Sequence, residues 1–227
     1  MMAGASAMVP LDDSLTWREL GPGDLDELET LHRLAVGPVV RPDIVKPESR
    51  SYFASILNGR GRVIGAYDGR LIAYGILQHD HSPADDPRRE LGLVPGAPVG
   101  RLAGASVAPA FRGRGLQRLT ISARVAIAPP DMALFSTAAP VNTPSWASLL
   151  AEGFPIHGIV QRYGGYLRYM MVRDGATYDP AHAMTVDPLN LPLQDELFAK
   201  GWRGFARSRL PSGAPGILFA PPQPRLA

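Results

Sequence analysis

The segment Val107–Gln117 limits the choice of fold more than any other part of the sequence. An extended run of small residues stops at Pro109, a turn reading Arg112-Gly113-Arg114-Gly115 follows, and a helical pattern begins at Leu116. Such a turn directs several backbone N–H groups to one point beside the positive end of the helix dipole. The segment therefore predicts an α/β fold and a binding site for a bulky anion such as a phosphate.

Two common phosphate-binding motifs do not fit this turn. No Gly-Lys-Ser/Thr follows it, so it is not a P-loop. Arg118 stands where a dinucleotide fingerprint needs its third glycine, and no acidic residue ends a strand about 20 residues further on. The turn belongs to a different class of phosphate site.

The remaining chain alternates strands with helices. The pattern predicts a strand at 15–20, helices at 25–35 and 47–57, a hairpin at 62–77, a strand at 99–107, a helix at 116–128, an extended segment at 132–138, a short helix at 143–153, and strands at 156–162 and 167–172. Asp68-Gly69 predicts a type I′ turn, and Thr143 is predicted to cap the helix that begins at Pro144. This order predicts an α/β fold with a mixed central sheet flanked by helices.

The termini differ from this main domain, which is predicted to cover residues 14–173. Residues 1–13 read as a flexible N-terminus. Residues 174–227 predict a small α+β extension of strand, helix, strand and strand, at 183–186, 193–200, 202–207 and 217–219. The extension is too short to bury its apolar side chains by itself, so it should pack on the main domain or form a homodimer contact.

A weak internal similarity links the extension to the main domain. Leu197–Trp202 resembles Leu149–Phe154, because each combines a helix end, a glycine and an aromatic residue. The likeness indicates either a true repeat or two helices that end in the same way.

Composition excludes several classes of protein. The 227 residues contain no cysteine, which rules out disulfides, zinc–thiolate sites and iron–sulfur clusters. The formal net charge of +2 is no signature of nucleic-acid binding. Met1–Pro10 lacks the features of a signal peptide, and no run of about 18 apolar residues occurs. We expect a cytoplasmic protein with no nucleic-acid or membrane partner.

The phosphate-binding segment resembles the acyl-CoA signature of the GCN5-related N-acetyltransferase (GNAT) family. In that family a strand ending in Val-x-Pro is followed by Arg/Gln-x-x-Gly-x-Gly/Ala and a helix, and Val107-Ala108-Pro109 with Arg112–Gln117 follows this pattern. Gln117 departs from it, since the family usually has glycine or alanine there. The order of elements over residues 14–173 is also similar to that of the family.

The resemblance implies a binding mode for acetyl-CoA as co-substrate, with no metal. The backbone at Ser106 and Val107 would pair with the pantetheine arm and hold the acyl carbonyl, and Asn142 would reach the pantetheine from the other side. The pyrophosphate would lie on the amides of the turn, namely Arg112, Gly113, Arg114, Gly115, Leu116 and Gln117. The simpler alternatives are that the turn is only solvated and that Asn142 only caps the next helix.

The two catalytic side chains of the family have no counterpart in the sequence. The family often places a glutamate on the signature strand, but residues 101–107 contain no carboxylate. It often places a tyrosine four residues before the glycine at 153, where this chain has Leu149. We therefore predict catalysis by proximity and by polarisation of the thioester carbonyl, with the amine deprotonated by bulk water or a relay.

Substitutes are available in two places, although each is more often structural. Tyr163, Tyr166 and Tyr169 accompany the last hairpin, with Tyr163 favoured as the proton donor to the leaving thiolate. His79 follows the third strand, next to Asp80 and His81, and adjacent loop residues seldom converge on one metal ion.

The resemblance implies transfer of an acetyl group from acetyl-CoA to a primary amine of a small molecule or peptide. Because both family catalytic residues are missing, a non-catalytic acyl-CoA-binding sensor or scaffold is the alternative. A different acyl donor is a third reading. The loops at 37–48 and 79–98 would select the acceptor amine.

Overall fold

The computed structural model describes residues 14–38, 41 and 43–224, and the predicted flexible terminus at 1–13 lies outside the described residues. The described chain divides into two compact units. The first unit contains the residues through 38 and Pro47–Leu134. The second unit contains residues 41–46 and the chain from Phe135 onward.

The first unit is an antiparallel sheet with helices on both faces. Its elements are β1 (Thr16–Leu20), α1 (Leu25–Val36), α2 (Arg50–Ser55), β2 (Gly61–Asp68), β3 (Arg70–Gln78), β4 (Val99–Val107) and α3 (Leu116–Ile127). The strands follow the order β1-β2-β3-β4. Leu28 of α1 and Phe53 of α2 pack on one face around Tyr74. Leu119 of α3 packs on the other face against Ala73 and Val107.

Three local predictions are wrong, each at the end of an element. The second helix begins after Ser49, whose side chain accepts from the Tyr52 amide, rather than at Pro47. The turn after Asp68 is not type I′, which needs two residues with positive φ, because only Gly69 has one. Asn142, not Thr143, caps the helix at 143–151.

The second unit contains the remaining strands and helices. They are β5 (Ala133–Ala138, which joins this unit at Phe135), α4 (Thr143–Ala151), β6 (Ile156–Arg162), β7 (Tyr166–Val172), β8 (Met184–Val186), α5 (Leu191–Ala199), β9 (Arg203–Arg209) and β10 (Pro215–Ala220). The strand, helix, strand and strand predicted after residue 174 are confirmed. The predicted domain boundary at 173/174 stays a prediction.

The strands of the second unit lie in the order β5-β7-β6-β9-β10-β8. This order is symmetric about the β6–β9 contact, and the unit consists of two arms with equal topology. The first arm is β5-α4-β6-β7 and the second arm is β8-α5-β9-β10. The register also repeats, since Ala138 pairs with Tyr169 in the first arm and Val186 pairs with Ile217 in the second.

The sequence repeats without a gap when it is shifted by 48 positions. Thr137-x-x-Pro140-x-Asn142-x-Pro144 returns as Thr185-x-x-Pro188-x-Asn190-x-Pro192. Asn142 and Asn190 both cap their helix through the side-chain oxygen. Gly153 and Gly201 both follow their helix with a φ of 80°. Of the two readings of the weak similarity, the topology, the register and the caps together support a true repeat.

The two arms contact each other through two residues that occupy equivalent positions in the repeat. Ile156 of β6 pairs with Gly204 of β9, and these two positions are 48 residues apart. Around this pseudo-twofold point α4 packs against β9 and α5 against β6, so each helix covers a strand of the other arm. The Tyr169 hydroxyl donates to the Pro188 carbonyl across the same contact, at 2.9 Å. The second arm thus completes the core of the first.

Gly204→Ala is expected to destabilise the second unit by about 2 kcal/mol, because overpacking a closed core costs about 1–3 kcal/mol. A Cβ at Gly204 would lie 2.9 Å from Ile217, 3.1 Å from Ile156 and 3.1 Å from Phe219. Gly158→Ala on β6 is the matched control, since a Cβ there meets nothing within 4 Å. Denaturant unfolding of both variants measures the difference, and equal stabilities would contradict this view of the contact.

Candidate functional site

The phosphate-binding segment in the first unit has the predicted order of strand, turn and helix. β4 ends at Val107, a single helical turn covers Pro109–Phe111, and α3 starts at Leu116. Gly113 and Gly115 have φ values of 78° and 79°, a region that favours glycine. A Cβ at either position would meet nothing within 4 Å, so the space beside the turn is open.

The amides of the turn are available to a ligand. The amide of Arg112 donates to Pro109 O at 3.3 Å, and that of Arg118 donates to Gly115 O at 2.9 Å. Within the described part of the chain, the amides between them, at 113–117, donate to no backbone carbonyl. Because unpaired amides at a helix N-terminus attract anions, this stretch has the donors that a pyrophosphate requires.

The arginines of the turn leave that space accessible. The Arg112 side chain extends away from the turn and donates through Nη2 to Ala35 O at 2.6 Å. The Arg114 guanidinium lies over the Phe111 ring, 4.9 Å from its centroid. Gly113, Arg114 and Gly115 are exposed. The residues present therefore fit the pyrophosphate of acyl-CoA.

A bulge interrupts β4 before this turn. Gly75 and Leu77 of β3 pair with Ala105 and Leu102 of β4, so β4 contains one extra residue at Ala103–Gly104. Bulges break the ladder of hydrogen bonds and leave carbonyls to be satisfied in another way.

Arg124 of α3 supplies the missing donors from beneath the sheet. It is buried, and its Nη1 donates to Ile76 O at 3.4 Å and to Ala103 O at 3.3 Å. Its Nε lies 2.6 Å from the point where a Cβ of residue 75 would stand, which explains the glycine there. Through the two hydrogen bonds to Ile76 O and Ala103 O, Arg124 holds the bulge in place. Burial lowers the pKa of Arg124 to about 9.

Arg124→Leu is expected to lower the free energy of unfolding by about 3 kcal/mol, because each buried carbonyl left unpaired costs about 1–3 kcal/mol. The exposed Arg33→Leu on α1 serves as the control and should change stability by less than about 0.5 kcal/mol. Chemical denaturation of both variants tests this. An unchanged stability of Arg124→Leu would show that the bulge does not depend on the guanidinium.

A chain of polar groups connects β4 to α1 and to the segment that precedes α2. Ser106 Oγ donates to the Tyr74 hydroxyl at 3.3 Å, and His32 Nδ1 lies 2.8 Å from the same hydroxyl. The backbone amide of Glu48 donates to His32 Nε2 at 3.0 Å. Since Nε2 accepts, neutral His32 carries its proton on Nδ1 and donates it to Tyr74. Burial lowers the pKa of His32, which favours this neutral form.

Sequence reasoning missed this chain of contacts. His32, Glu48, Tyr74 and Ser106 are separated by 16 to 32 positions along the sequence, and each has an ordinary local context. Burial raises the pKa of Tyr74 strongly, and the Glu48 carboxylate adds to the effect. The one available signal was the histidine on the apolar side of an otherwise regular helix.

Asn142 caps α4 in the second unit, as the simpler alternative proposed. Its Oδ1 accepts from the Ser145 amide at 3.3 Å. The cap uses the oxygen, so the side-chain NH₂ remains the group that would donate to pantetheine. A ligand contact of Asn142 stays a prediction.

The structure places the three catalytic candidates in two different units. His79 is exposed at the end of β3 in the first unit. In the second unit, Tyr163 lies in the β6–β7 turn and Tyr166 begins β7, and the Arg168 guanidinium lies 5.5 Å and 5.7 Å from their ring centroids. Tyr163 has a positive φ of 55°, which is uncommon outside glycine and costs backbone energy. Catalytic roles for all three stay predictions.

In the described residues, no group of three or more histidine, aspartate or glutamate side chains could hold a metal ion. No helix in the described ranges is long and apolar enough to cross a membrane.

Solved structures similar to this chain are acetyltransferases. A GNAT-family acetyltransferase from Streptococcus pneumoniae has 17% identity and a TM-score of 0.51, over 70% of this chain and 98% of its own. Arabidopsis thaliana NAA60, in complex with a bisubstrate analogue, has 19% identity and a TM-score of 0.51, over 70% and 96%. A phosphinothricin acetyltransferase from Sinorhizobium meliloti, in complex with AcCoA, has 18% identity and a TM-score of 0.51, over 70% and 88%.

These likenesses concern the fold, because every identity is below 20%. No protein-family model and no curated protein sequence matches the chain. The predicted fold class, an α/β fold with a mixed sheet flanked by helices, is confirmed. The chain has the fold of the GCN5-related N-acetyltransferases, the family that its phosphate-binding segment resembles.

Proposed function

We propose that the protein transfers an acetyl group from acetyl-CoA to a primary amine of a small molecule or a peptide. The observation that carries this proposal is the turn before α3, with its open amides at 113–117 and two glycines of positive φ. The similar fold of acetyltransferases solved with acetyl-CoA supports it. On the basis of the sequence, we also propose that the protein is located in the cytoplasm.

The turn before α3 and the end of β4 have separate roles in this proposal. The amides at 113–117 hold the pyrophosphate, and the backbone of Ser106 and Val107 pairs with the pantetheine arm. Acetyl-CoA supplies a thioester, whose carbonyl carbon is the electrophile. The strand backbone orients the carbonyl and stabilises the negative charge that develops on its oxygen.

A non-catalytic acyl-CoA sensor or scaffold is the second candidate. It is favoured by one observation, the absence of a carboxylate on β4 together with Leu149 at the family's tyrosine position. Both candidates require acyl-CoA binding, so binding alone does not separate them. Only turnover that depends on an amine separates an enzyme from a sensor.

The test combines binding with turnover. Titration calorimetry with acetyl-CoA and CoA measures binding, and a thiol reagent then detects CoA released in the presence of an amine panel. The panel contains aliphatic diamines, amino acids, aminoglycosides and short peptides with free N-termini. The proposal expects release that requires one class of amine. Binding without such release would favour the sensor, and no binding would refute both.

A further inference from the structure

The turn between β6 and β7 contains a strained tyrosine. In the described part of the chain, Tyr163 is the one residue other than glycine with a positive φ, at 55°. A bulky side chain in this region costs backbone energy that a glycine would avoid. Because strain of this kind concentrates at functional sites, the surroundings of the Tyr163 side chain indicate what the residue does.

Two cations lie beside the Tyr163 ring. The Lys46 Nζ is 5.1 Å from the ring centroid, and the guanidinium carbon of Arg168 is 5.5 Å from it. All three residues belong to the second unit. Arg168 is buried and donates through Nη1 to the Asp43 carbonyl at 3.0 Å. Arg168 thereby holds the segment that carries Lys46 against the β6–β7 turn.

This cluster carries a net positive charge. Its charged side chains are Arg41, Asp43, Lys46 and Arg168, and the Asp43 carboxylate is paired with Arg41 at 2.7 Å. Lys46 is exposed, and its ammonium forms no ion pair with any residue that the structure describes. An ammonium group donates charge-assisted hydrogen bonds to carboxylates. Lys46 is therefore suited to bind an anionic group from solution.

The Tyr163 hydroxyl connects the cluster to β5. It lies 3.5 Å from Oγ1 of Thr137, near the end of that strand. Asn142, which would donate to the pantetheine arm, follows the same end of β5 and caps α4. Lys46 also belongs to the loop at 37–48, for which the sequence predicts a role in acceptor selection. The cluster thus lies at the strand end that the proposed pantetheine contact uses.

We propose that the acceptor is an amino compound that also carries a carboxylate, and that Lys46 and the Tyr163 hydroxyl bind this carboxylate. The proposal rests on the proposed acetyl transfer and names its substrate class. The Lys46 ammonium donates to one carboxylate oxygen, and the hydroxyl is a second donor. Diamines and aminoglycosides carry further positive charge in place of the carboxylate, so the cations of the cluster repel them.

The first test compares acceptors that differ only in the carboxylate. The ω-amino acids from glycine to aminohexanoic acid are each paired with their amide, and CoA release is measured with acetyl-CoA as donor. For the best pair, kcat/KM is expected to be about tenfold higher for the acid, which is the size of a charge-assisted hydrogen bond. The difference should lie mainly in KM. Equal values for acid and amide throughout the series would overturn the proposal.

The second test removes the ammonium group. Lys46→Met keeps an unbranched side chain beside Tyr163 and is expected to lower kcat/KM for the preferred acid about tenfold. The value for the matching amide and the Kd for acetyl-CoA should stay within about twofold. Lys200→Met is the matched control, because Lys200 is the only other lysine and is exposed at the end of α5. Equal losses for acid and amide in Lys46→Met would show a structural role and overturn the proposal.

A third variant tests the hydroxyl alone. Tyr163→Phe keeps the ring beside both cations and should lower kcat/KM for the acid about threefold, with the amide unchanged, because one neutral hydrogen bond is lost. An unchanged value for the acid, or an equal loss for the amide, would overturn the role of the hydroxyl.

The two proposals fail in different ways. A parent protein that releases no CoA with any amine refutes acetyl transfer and the acceptor site with it. An active parent that prefers amides or diamines refutes the carboxylate site alone.

Discussion

Gly113→Asp is expected to weaken CoA binding at least 30-fold, which corresponds to about 2 kcal/mol. The new carboxylate would enter the space beside the open amides at 113–117, where the proposed ligand carries the negative charges of a pyrophosphate. Like charges at such short range repel by at least this amount. Titration calorimetry with CoA measures the effect.

Gly96→Asp is the matched control for this variant. Gly96 has a φ of 82°, close to the 78° of Gly113, and a Cβ at either position meets nothing within 4 Å. Both variants therefore introduce the same backbone strain and the same charge, but only one places them at the turn. Gly96→Asp should bind CoA like the parent. Tight binding by Gly113→Asp would place the phosphate site elsewhere.

Removal of residues 174–227 is expected to lower Tm by about 10 °C or more and to make the chain self-associate. The truncation deprives β6 of its neighbour β9, uncovers the face of α4 that packs on β9, and removes the acceptor of the Tyr169 hydroxyl. Ile156, fully buried in the complete chain, would face solvent. An exposed strand edge beside apolar surface favours pairing with another chain.

The pseudo-twofold contact suggests the form of that association. In the full chain β6 pairs with β9 at the equivalent positions Ile156 and Gly204. Two truncated copies could pair β6 with β6 in the same antiparallel way. Light scattering after size exclusion should show a monomer for the full chain and a dimer or aggregate for the truncated one. A soluble truncated monomer with an unchanged Tm would contradict this role of the second arm.

Much of the local structure follows from the sequence. The strand at 156–162 and the end of β4 at Val107 lie where they are predicted, because alternating apolar residues and nearby glycine or proline mark such elements. The turn at Arg112–Gln117 was predicted with its neighbouring strand and helix, since positive φ at Gly113 and Gly115 is a local property. The sequence did not predict that Asn142 rather than Thr143 caps α4, because both residue types suit that position.

The sequence by itself determined the succession of strands and helices, the anion-binding turn and the kind of ligand that suits it. Each of these depends on residues that are neighbours along the chain. Only the tertiary structure decided which residues face β4 and how the C-terminal segment packs. Glu48 is linked to β4 through contacts of α1 and β3, and Ile156 meets Gly204 through the pairing of two arms. Such contacts arise when distant segments bury their apolar faces together, and no local pattern encodes which segments those will be.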